Sequence, residues 1–324
     1  MSDSVPRVGL VGVGYWGKNL ARNFSSLGAL AAICDSRDET LAEMATLHPE
    51  AEALSSYDRL LADESIDAVA IASPAVEHES MVRRALEAGK DVFVEKPLAL
   101  SAAAGRDLVD LAAESSRILM VGHLLWYHPA VLRLEELVTK GELGRLQYIY
   151  SHRLNLGRFR SEENILWSFA PHDFSVVLGL VGETPTHVGS QGGAYLNHDV
   201  ADVTTSELAF PSGVKGHVFV SWLHPFKEQR LVVVGSEAMA VFEDTSPGHK
   251  LLLYPHRIDW HEGMPVPSRV DAQPVDYDDS EEPLRVECAH FLECVVTRST
   301  PRTDGEEGLR VLEVLERCQA ALER

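Results

Sequence analysis

Lys96, His172 and Asp173, a glycine turn at Gly12-x-Gly14-x-x-Gly17 and an arginine cluster that begins at Arg153 have types and spacings suited to chemistry. The glycine turn follows an apolar run, Val8 to Val11, and precedes a stretch, Asn19 to Leu27, that reads as a helix. Strand, tight turn and helix start, in that order, are what a dinucleotide pyrophosphate needs. Gly12 permits the turn, Gly14 leaves out a Cβ that would meet the phosphates, and Gly17 lets the helix pack close to its strand. The helix N-terminus then presents unpaired N–H groups to the anion. Tyr15 and Trp16 stand inside the turn. Asp35 lies 18 residues beyond Gly17, at the end of a second apolar run from Ala29 to Cys34. That is close to the spacing at which an acid meets the adenosine ribose hydroxyls. An acid there repels a 2′-phosphate and favours NAD over NADP, whereas Arg37 beside it works partly in the other direction. Ser36-x-x-Glu39 has capping-box spacing and is expected to open the next helix.

Lys96 follows the apolar run Asp91 to Val94 in Glu95-Lys96-Pro97, and Pro97 restricts the backbone at both positions. A lysine at such an edge can hold a substrate hydroxyl, or act as acid or base where burial lowers its pKa. His172 and Asp173 occur in Trp167-Ser-Phe-Ala-Pro-His-Asp-Phe. An imidazole titrates near neutrality and suits removing a proton from an alcohol. Pro171 reads as a first-turn proline, which puts His172 at a helix start, where Asp173 would favour the helix dipole. Asp173 fits that structural role or a functional one. Trp167 is taken as a cofactor contact, although a tryptophan there is more often core. Arg153, Arg158 and Arg160 fall within eight residues of a chain whose formal charge is −20. With Asn155 they suggest a site for a carboxylate or diphosphate; the alternative is an exposed edge balanced by Glu162 and Glu163. The 14 histidines show no HExxH or Cys/His knuckle spacing, so no metal is expected.

The elements that must position these residues alternate. Apolar strands at Val8–Val11, Ala29–Cys34, Ala68–Ala72, Asp91–Val94 and Ile118–Val121 are separated by helical stretches. Such short strand–helix units imply a doubly wound parallel sheet, a Rossmann domain, with ligands at the carboxyl ends of the strands. Gly12, Asp35, Ser73-Pro74 with His78 beyond, and Glu95-Lys96 should therefore gather on one edge. Past residue 121 the pattern changes to one of helices and successive short strands. This implies an α/β domain with a large, mostly antiparallel open sheet over residues 122–324. A helix is expected near Phe169–Leu180, a Pro- and Asp-rich loop over His256–Glu282, and two closing helices, Leu284–Arg298 and Gly305–Leu322.

A chain of 324 residues, 45% hydrophobic and 24% charged, is long enough for two cores. Its acidity argues against nucleic acid and anionic membrane as partners, no apolar run reaches the length of a membrane span, and the start lacks a signal-peptide pattern. The four cysteines show no CxxC spacing and are expected as thiols of a cytoplasmic protein.

With these residues in hand, the chain resembles the glucose–fructose oxidoreductase / inositol dehydrogenase (Gfo/Idh/MocA) family. Gly12-x-Gly14-Tyr-Trp-Gly17, Glu95-Lys96-Pro97 and a histidine of the second domain carry the resemblance. It implies NAD(P)-linked oxidation of a sugar or polyol hydroxyl, with Lys96 and His172 at the nicotinamide, and a homodimer or homotetramer built through the second sheet. Tyr15-Trp16-Gly17-Lys18-Asn19, Arg153-Leu-Asn155-Leu-Gly157 and Leu166–Asp173 are similar to members acting on UDP-N-acetylglucosamine or its uronate at C3, in surface-polysaccharide pathways. That branch implies a nucleotide-sugar substrate held by Lys96, Arg153, Asn155, Arg158 and His172. It also implies cofactor contacts from Gly12, Gly14, Tyr15, Trp16, Asp35, Ser36, Arg37, Ser73, Pro74, His78, Glu95, Lys96 and Trp167. Many polyol-oxidising members carry an Asp four residues before the histidine, where this chain has Ser168. The proton acceptor stays open between Lys96 and His172, with Asp173 as an orienting partner. Alternatives are a keto-sugar reductase acting on a dTDP-sugar, a free sugar or polyol dehydrogenase, and a non-catalytic NAD(P)-sensing regulator.

Overall fold

Buried, mostly apolar runs of four or five residues form five strands of the first sheet, as parallel strands covered on both faces require; the sixth, at one edge, is three residues long and largely exposed. In chain order the elements are β1 (Val8–Val11), α1 (Gly17–Ser26), β2 (Leu30–Cys34), α2 (Asp38–Leu47), β3 (Glu52–Leu54), α3 (Tyr57–Ala62), β4 (Ala68–Ile71), α4 (Ala75–Glu87), β5 (Asp91–Glu95), α5 (Ala102–Glu114) and β6 (Leu119–Gly122). The computed structural model describes residues 5–157, 159 and 163–323. The strands lie in the order β3-β2-β1-β4-β5-β6, all parallel. Chain order reverses beside β1, which is the switch point where doubly wound sheets bind ligands. Val11, Cys34, Ile71 and Val94 lie in register across the sheet, so the turns that follow them emerge at one edge.

The second set of elements is α6 (Pro129–Thr139), β7 (Leu146–Leu156), α7 (Ile165–Val181), β8 (His187–Gly193), β9 (Val203–Ala209), β10 (Lys215–Ser221), β11 (Leu223–Gly235), β12 (Met239–Glu243), β13 (Leu251–Tyr254), β14 (Arg257–His261), β15 (Met264–Ser268), β16 (Gln273–Pro274), α8 (Pro283–Thr297) and α9 (Gly305–Leu322). An eight-stranded sheet runs β16-β13-β12-β11-β7-β10-β9-β8 and is antiparallel except where β10 joins β7. Alternation along β7 sends Ser151 and Arg153 toward α7, where Asp173 receives both. It sends Tyr148, Tyr150 and His152 to the other face, where Tyr150 stacks on His217 of β10 at 5.1 Å.

Three expectations change. The stretch 256–282, read as loop, contains the hairpin β14–β15 and the short β16, because Ile258, Trp260 and Val266 give its strands the β-preferring residues that prolines obscured. Ser36 does not cap α2. Its N-cap is Arg37, which has no side-chain cap bond, and the Arg37 N–H goes instead to Asp35 Oδ1 at 2.9 Å. The division of the chain is not a single cut at 121/122. Met1–Tyr127 with Glu281–Glu313 form one unit, and His128–Ser280 with Val314–Arg324 the other. The reason lies in α8, whose Phe291 meets Phe24 of α1 and Phe93 of β5 edge-on at 6.4 and 5.8 Å. Its last turn is tied down by Arg298, which donates to Asp91 Oδ2 at 2.5 Å and Oδ1 at 3.0 Å.

Glu287, on the same helix, is fully buried and neither carboxylate oxygen has a hydrogen-bond partner among the described residues. Burial first, then the nearby Glu95, pushes its pKa well above the ordinary glutamate range. The folded state therefore keeps a proton that the unfolded chain loses, and stability falls as pH rises beyond the unfolded value. Glu287→Gln removes that linkage. Its melting temperature should gain on the wild type progressively between pH 5 and pH 8, with a limiting slope of about 1.4 kcal/mol per pH unit. A pH-independent difference would overturn this assignment.

Candidate active site

The glycine turn is built by exclusion. Gly12 has φ +82°, and a Cβ on it would lie 2.7 Å from Ser73 N. A Cβ on Gly17 would lie 2.0 Å from the Gly12 carbonyl oxygen, so the start of α1 rests directly on the end of β1. The helix begins at N-cap Trp16 with no side-chain cap and no acid in its first turn. Lys18 N–H and Asn19 N–H turn back to the carbonyls of Gly14 and Trp16 at 3.2 and 2.9 Å, and the positive end of the helix dipole favours an anion beside the turn. Tyr15 is 84% exposed and Trp16 36%.

Asp35 sits at the end of β2 with only 6% of its surface exposed. It accepts from Val13 N at 3.0 Å, and from Arg37 Nε and Nη2 at 3.0 Å each. Burial acts to raise its pKa, but the Arg37 hydrogen bonds and charge and the Val13 N–H outweigh it and hold the carboxyl below the usual range. The acid thus braces the glycine turn as well as facing the edge, while Arg37 is partly neutralised by it. Ser73 Oγ, at the end of β4 beside Pro74, is buried without a hydrogen-bond partner among the described residues. An uncapped helix start, a glycine cradle, an anionic strand end and an orphaned hydroxyl on one edge fit a dinucleotide.

His78 is 1% exposed, and its ring nitrogens lie 2.7 Å from Pro97 O and 3.0 Å from Ser73 O. It ties the chain after β4 to the chain after β5, with both ring nitrogens engaged by backbone carbonyls. Glu95, the last residue of β5, accepts from Trp16 Nε1. Lys96 follows at the strand end, half-buried, with a cis peptide to Pro97.

In the second unit, α7 starts four residues earlier than expected, with Asn164 Oδ1 accepting from Trp167 N at 3.2 Å. Pro171 therefore lies inside the helix, and His172 stands at its middle rather than its start. The earlier cap outweighs the proline, which removes one helix hydrogen bond. Trp167 donates from Nε1 to Gln319 at 3.2 Å, so its polar atom is engaged within this unit.

His172 and Ser168, one helical turn apart, line a cavity of about 210 Å³ with Phe169, Arg153, Leu154, Asn155, Lys227 and Gln229. Asp173 is 2% exposed and does not orient His172. Its carboxylate accepts from Ser151 Oγ at 2.5 Å and from Arg153 Nε at 2.6 Å and Nη2 at 3.3 Å. The Gln229 amide, oriented to satisfy its neighbours, accepts from Arg153 Nη1 at 3.0 Å and donates to Asp244 at 2.8 Å. Arg153 is thus committed to the protein on three nitrogens, and Lys227, exposed and without an ion pair among the described residues, brings a second cation to the cavity. Arg158 lies outside the described residues. Lys227 and Gln229 escaped the sequence reading because Gln229 meets Arg153 by cross-strand register, and Lys227 falls in the irregular stretch before it. Among the described residues no cluster of three or more His, Cys, Asp or Glu could hold a metal ion, and no helix is long and apolar enough to cross a membrane.

Removing one member of a buried ion pair leaves the other uncompensated. Asp173→Asn should therefore cost about 3 kcal/mol of unfolding free energy, by the usual size of that effect. A denaturant melt within 0.5 kcal/mol of the wild type, on the scale of a surface change, would show that the pair is dispensable.

Comparison with known proteins agrees with this geometry. Residues 6–123 match the oxidoreductase family with an NAD-binding Rossmann fold, and residues 131–241 match the GFO/IDH/MocA C-terminal domain. UDP-N-acetylglucosamine 3-dehydrogenase of Acidithiobacillus ferrooxidans is 27% identical over 318 residues, covering 98% of this chain and 97% of that enzyme. A solved structure of it superposes with a TM-score of 0.86 at 26% identity, again over 98% and 97% of the two chains. The scyllo-inositol 2-dehydrogenase (NAD(+)) of Bacillus subtilis is 27% identical over 253 residues, 75% of this chain and 71% of that one. With a paired Rossmann sheet and open antiparallel sheet, a glycine cradle and both domain matches, the chain belongs to the GFO/IDH/MocA family of NAD-binding oxidoreductases.

Proposed function

We propose that the chain is an NAD-dependent dehydrogenase that oxidises the C3 hydroxyl of a nucleotide-linked amino sugar, such as UDP-N-acetylglucosamine or its uronate. The observation that carries this reading is the near-full-length likeness to a UDP-N-acetylglucosamine 3-dehydrogenase. It is supported by a cavity that combines His172 and Asn155 with the cation of Lys227, suited to a sugar with an anionic appendage. Ser168, in place of an acid one turn before His172, separates the chain from many polyol-oxidising members of the family.

Gly12, Gly14, Tyr15, Trp16, Asp35 and Ser73 are the residues assigned to NAD, which when bound accepts the hydride that the hydroxyl carbon gives up. Asp35 favours the cofactor without a 2′-phosphate. The hydroxyl proton is assigned to Lys96 and His172: one removes it as the base, the other donates a hydrogen bond to the developing carbonyl oxygen. Asp173 acts through Arg153, keeping the sheet side of the cavity in place. The outer face of the eight-stranded sheet, with Tyr148, Tyr150, His152 and His217 half-exposed, is the surface we assign to a homodimer or homotetramer.

The scyllo-inositol dehydrogenase relative supports a second reading, a free polyol as substrate. With NAD present, UDP-N-acetylglucosamine or its uronate should raise the melting temperature and reduce NAD, whereas inositols should do neither; the opposite ranking would replace the first reading by the second. Lys96→Ala and His172→Ala should retain NAD binding and lose about 100-fold or more in kcat, the size typical of a removed general acid or base. Near-wild-type turnover in both variants would sink the assignment.

A further inference from the structure

Beside the glycine turn stands a carboxyl group that neither hydride transfer nor phosphate binding uses. Glu95 Oε1 accepts from the indole Nε1 of Trp16, the N-cap of α1. On the neighbouring strand the register position opposite Glu95 is Gly122. A Cβ there would lie 3.2 Å from the Glu95 Cδ and Oε2, so the carboxyl occupies the space a side chain on β6 would need. The charged and titratable groups around it come from four directions. Lys96 follows it in the chain, and His123 follows β6, with Nδ1 2.6 Å from Glu307 Oε2 of α9. Glu287 and Cys288 of α8 couple to it from within the core, and Tyr127 couples to Glu287.

We propose that Glu95 is a positioning residue of the cofactor edge: as a carboxylate it holds the Trp16 indole against the first turn of α1, and taking up one proton weakens that hold, so the glycine turn and its affinity for the dinucleotide follow pH. A hydrogen bond to an ionised acceptor is roughly twice as strong as one to a neutral acceptor. Burial pushes the Glu95 carboxyl up to about 7, against the Trp16 hydrogen bond and the Lys96 charge, which favour ionisation. Part of the side chain still reaches solvent, and water there moderates the shift. Burial, with the Glu95 charge added, keeps Glu287 protonated, so Glu95 is the member of the pair that changes charge near neutrality.

Two measurements on the full-length chain test this. Without cofactor, the ¹⁵N-labelled Trp16 Nε1–H resonance, assigned by its loss in Trp16→Phe, should shift between pH 5.5 and 8.5 with a midpoint near 7. The shift should be absent in Glu95→Gln, which preserves an acceptor oxygen but cannot ionise. A flat wild-type resonance, or a midpoint retained in Glu95→Gln and lost in His123→Gln, overturns the proposal. With cofactor, NADH should bind about threefold or more weakly at pH 6 than at pH 8 in the wild type, as linkage to one weakened contact requires, and equally at both in Glu95→Gln. Identical profiles in the two proteins overturn the link to the cofactor. This second step rests on the dinucleotide reading of the edge, whereas the first does not, so failure of NADH to bind at all would indict that reading and leave the resonance result standing.

Discussion

The contact between Gly17 and the Gly12 carbonyl, too close for any side chain at Gly17, is the constraint on which the first unit depends. It seats α1 on the end of β1, and so puts an uncapped helix start at the switch point of the sheet. Asp35 reinforces the seat by accepting from Val13 N inside the turn, so the same carboxylate that marks the cofactor edge also holds its backbone. His78 does the equivalent for the β4 and β5 ends. The ends of β1, β2, β4 and β5 are thus each braced by a local contact, and a braced frame lowers the entropic cost of orienting a cofactor.

In the second unit the corresponding organiser is electrostatic. Asp173 and Arg153 are nearly removed from water, with 2% and 14% of their side chains exposed, and such a pair is tolerated only when its remaining hydrogen-bonding capacity is used. Ser151 and Gln229 use it. Asp244 extends the chain to Lys250 at 2.8 Å and to His128 at 3.3 Å. The network joins α7 to β7 and β11 and so sets the floor under His172. Arg153 is consumed by this work, and the cavity is left with Lys227 as its adaptable cation.

Burial of acids in a chain of formal charge −20 has a further effect. Burial raises both Glu287, which has no hydrogen-bond partner among the described residues, and Glu95 at the strand end; the Glu95 charge raises Glu287 further, while the Trp16 hydrogen bond and the Lys96 charge work to lower Glu95. Both acids lie in the first unit although α8 is far along the sequence from β5.

The parallel sheet and the gathering of strand-end residues at one edge were legible from the sequence, because apolar runs, glycine spacing and short strand–helix alternation are local signals; the strand order was not. The turn chemistry around Asp35 was less so: Ser36 has capping-box spacing, yet the Asp35 side chain takes the N–H of Arg37 instead. Long-range choices left little trace. Nothing in Asp173 says whether it serves the histidine beside it or an arginine 20 residues earlier; the pleat of β7 and the position of α7 decide that. Pro171 suggested a helix start until Asn164 supplied an earlier cap. The return of α8 to the first unit was decided by Phe24 and Phe93, which offer an aromatic surface no sequence window contains. Residue types and their spacing were enough to show which side chains could bind a dinucleotide and move a proton. Which of those charges are spent on each other and which remain for a ligand became visible in the folded chain alone, because pairing depends on distance in space and on exclusion of water, and neither is a property of spacing along the chain.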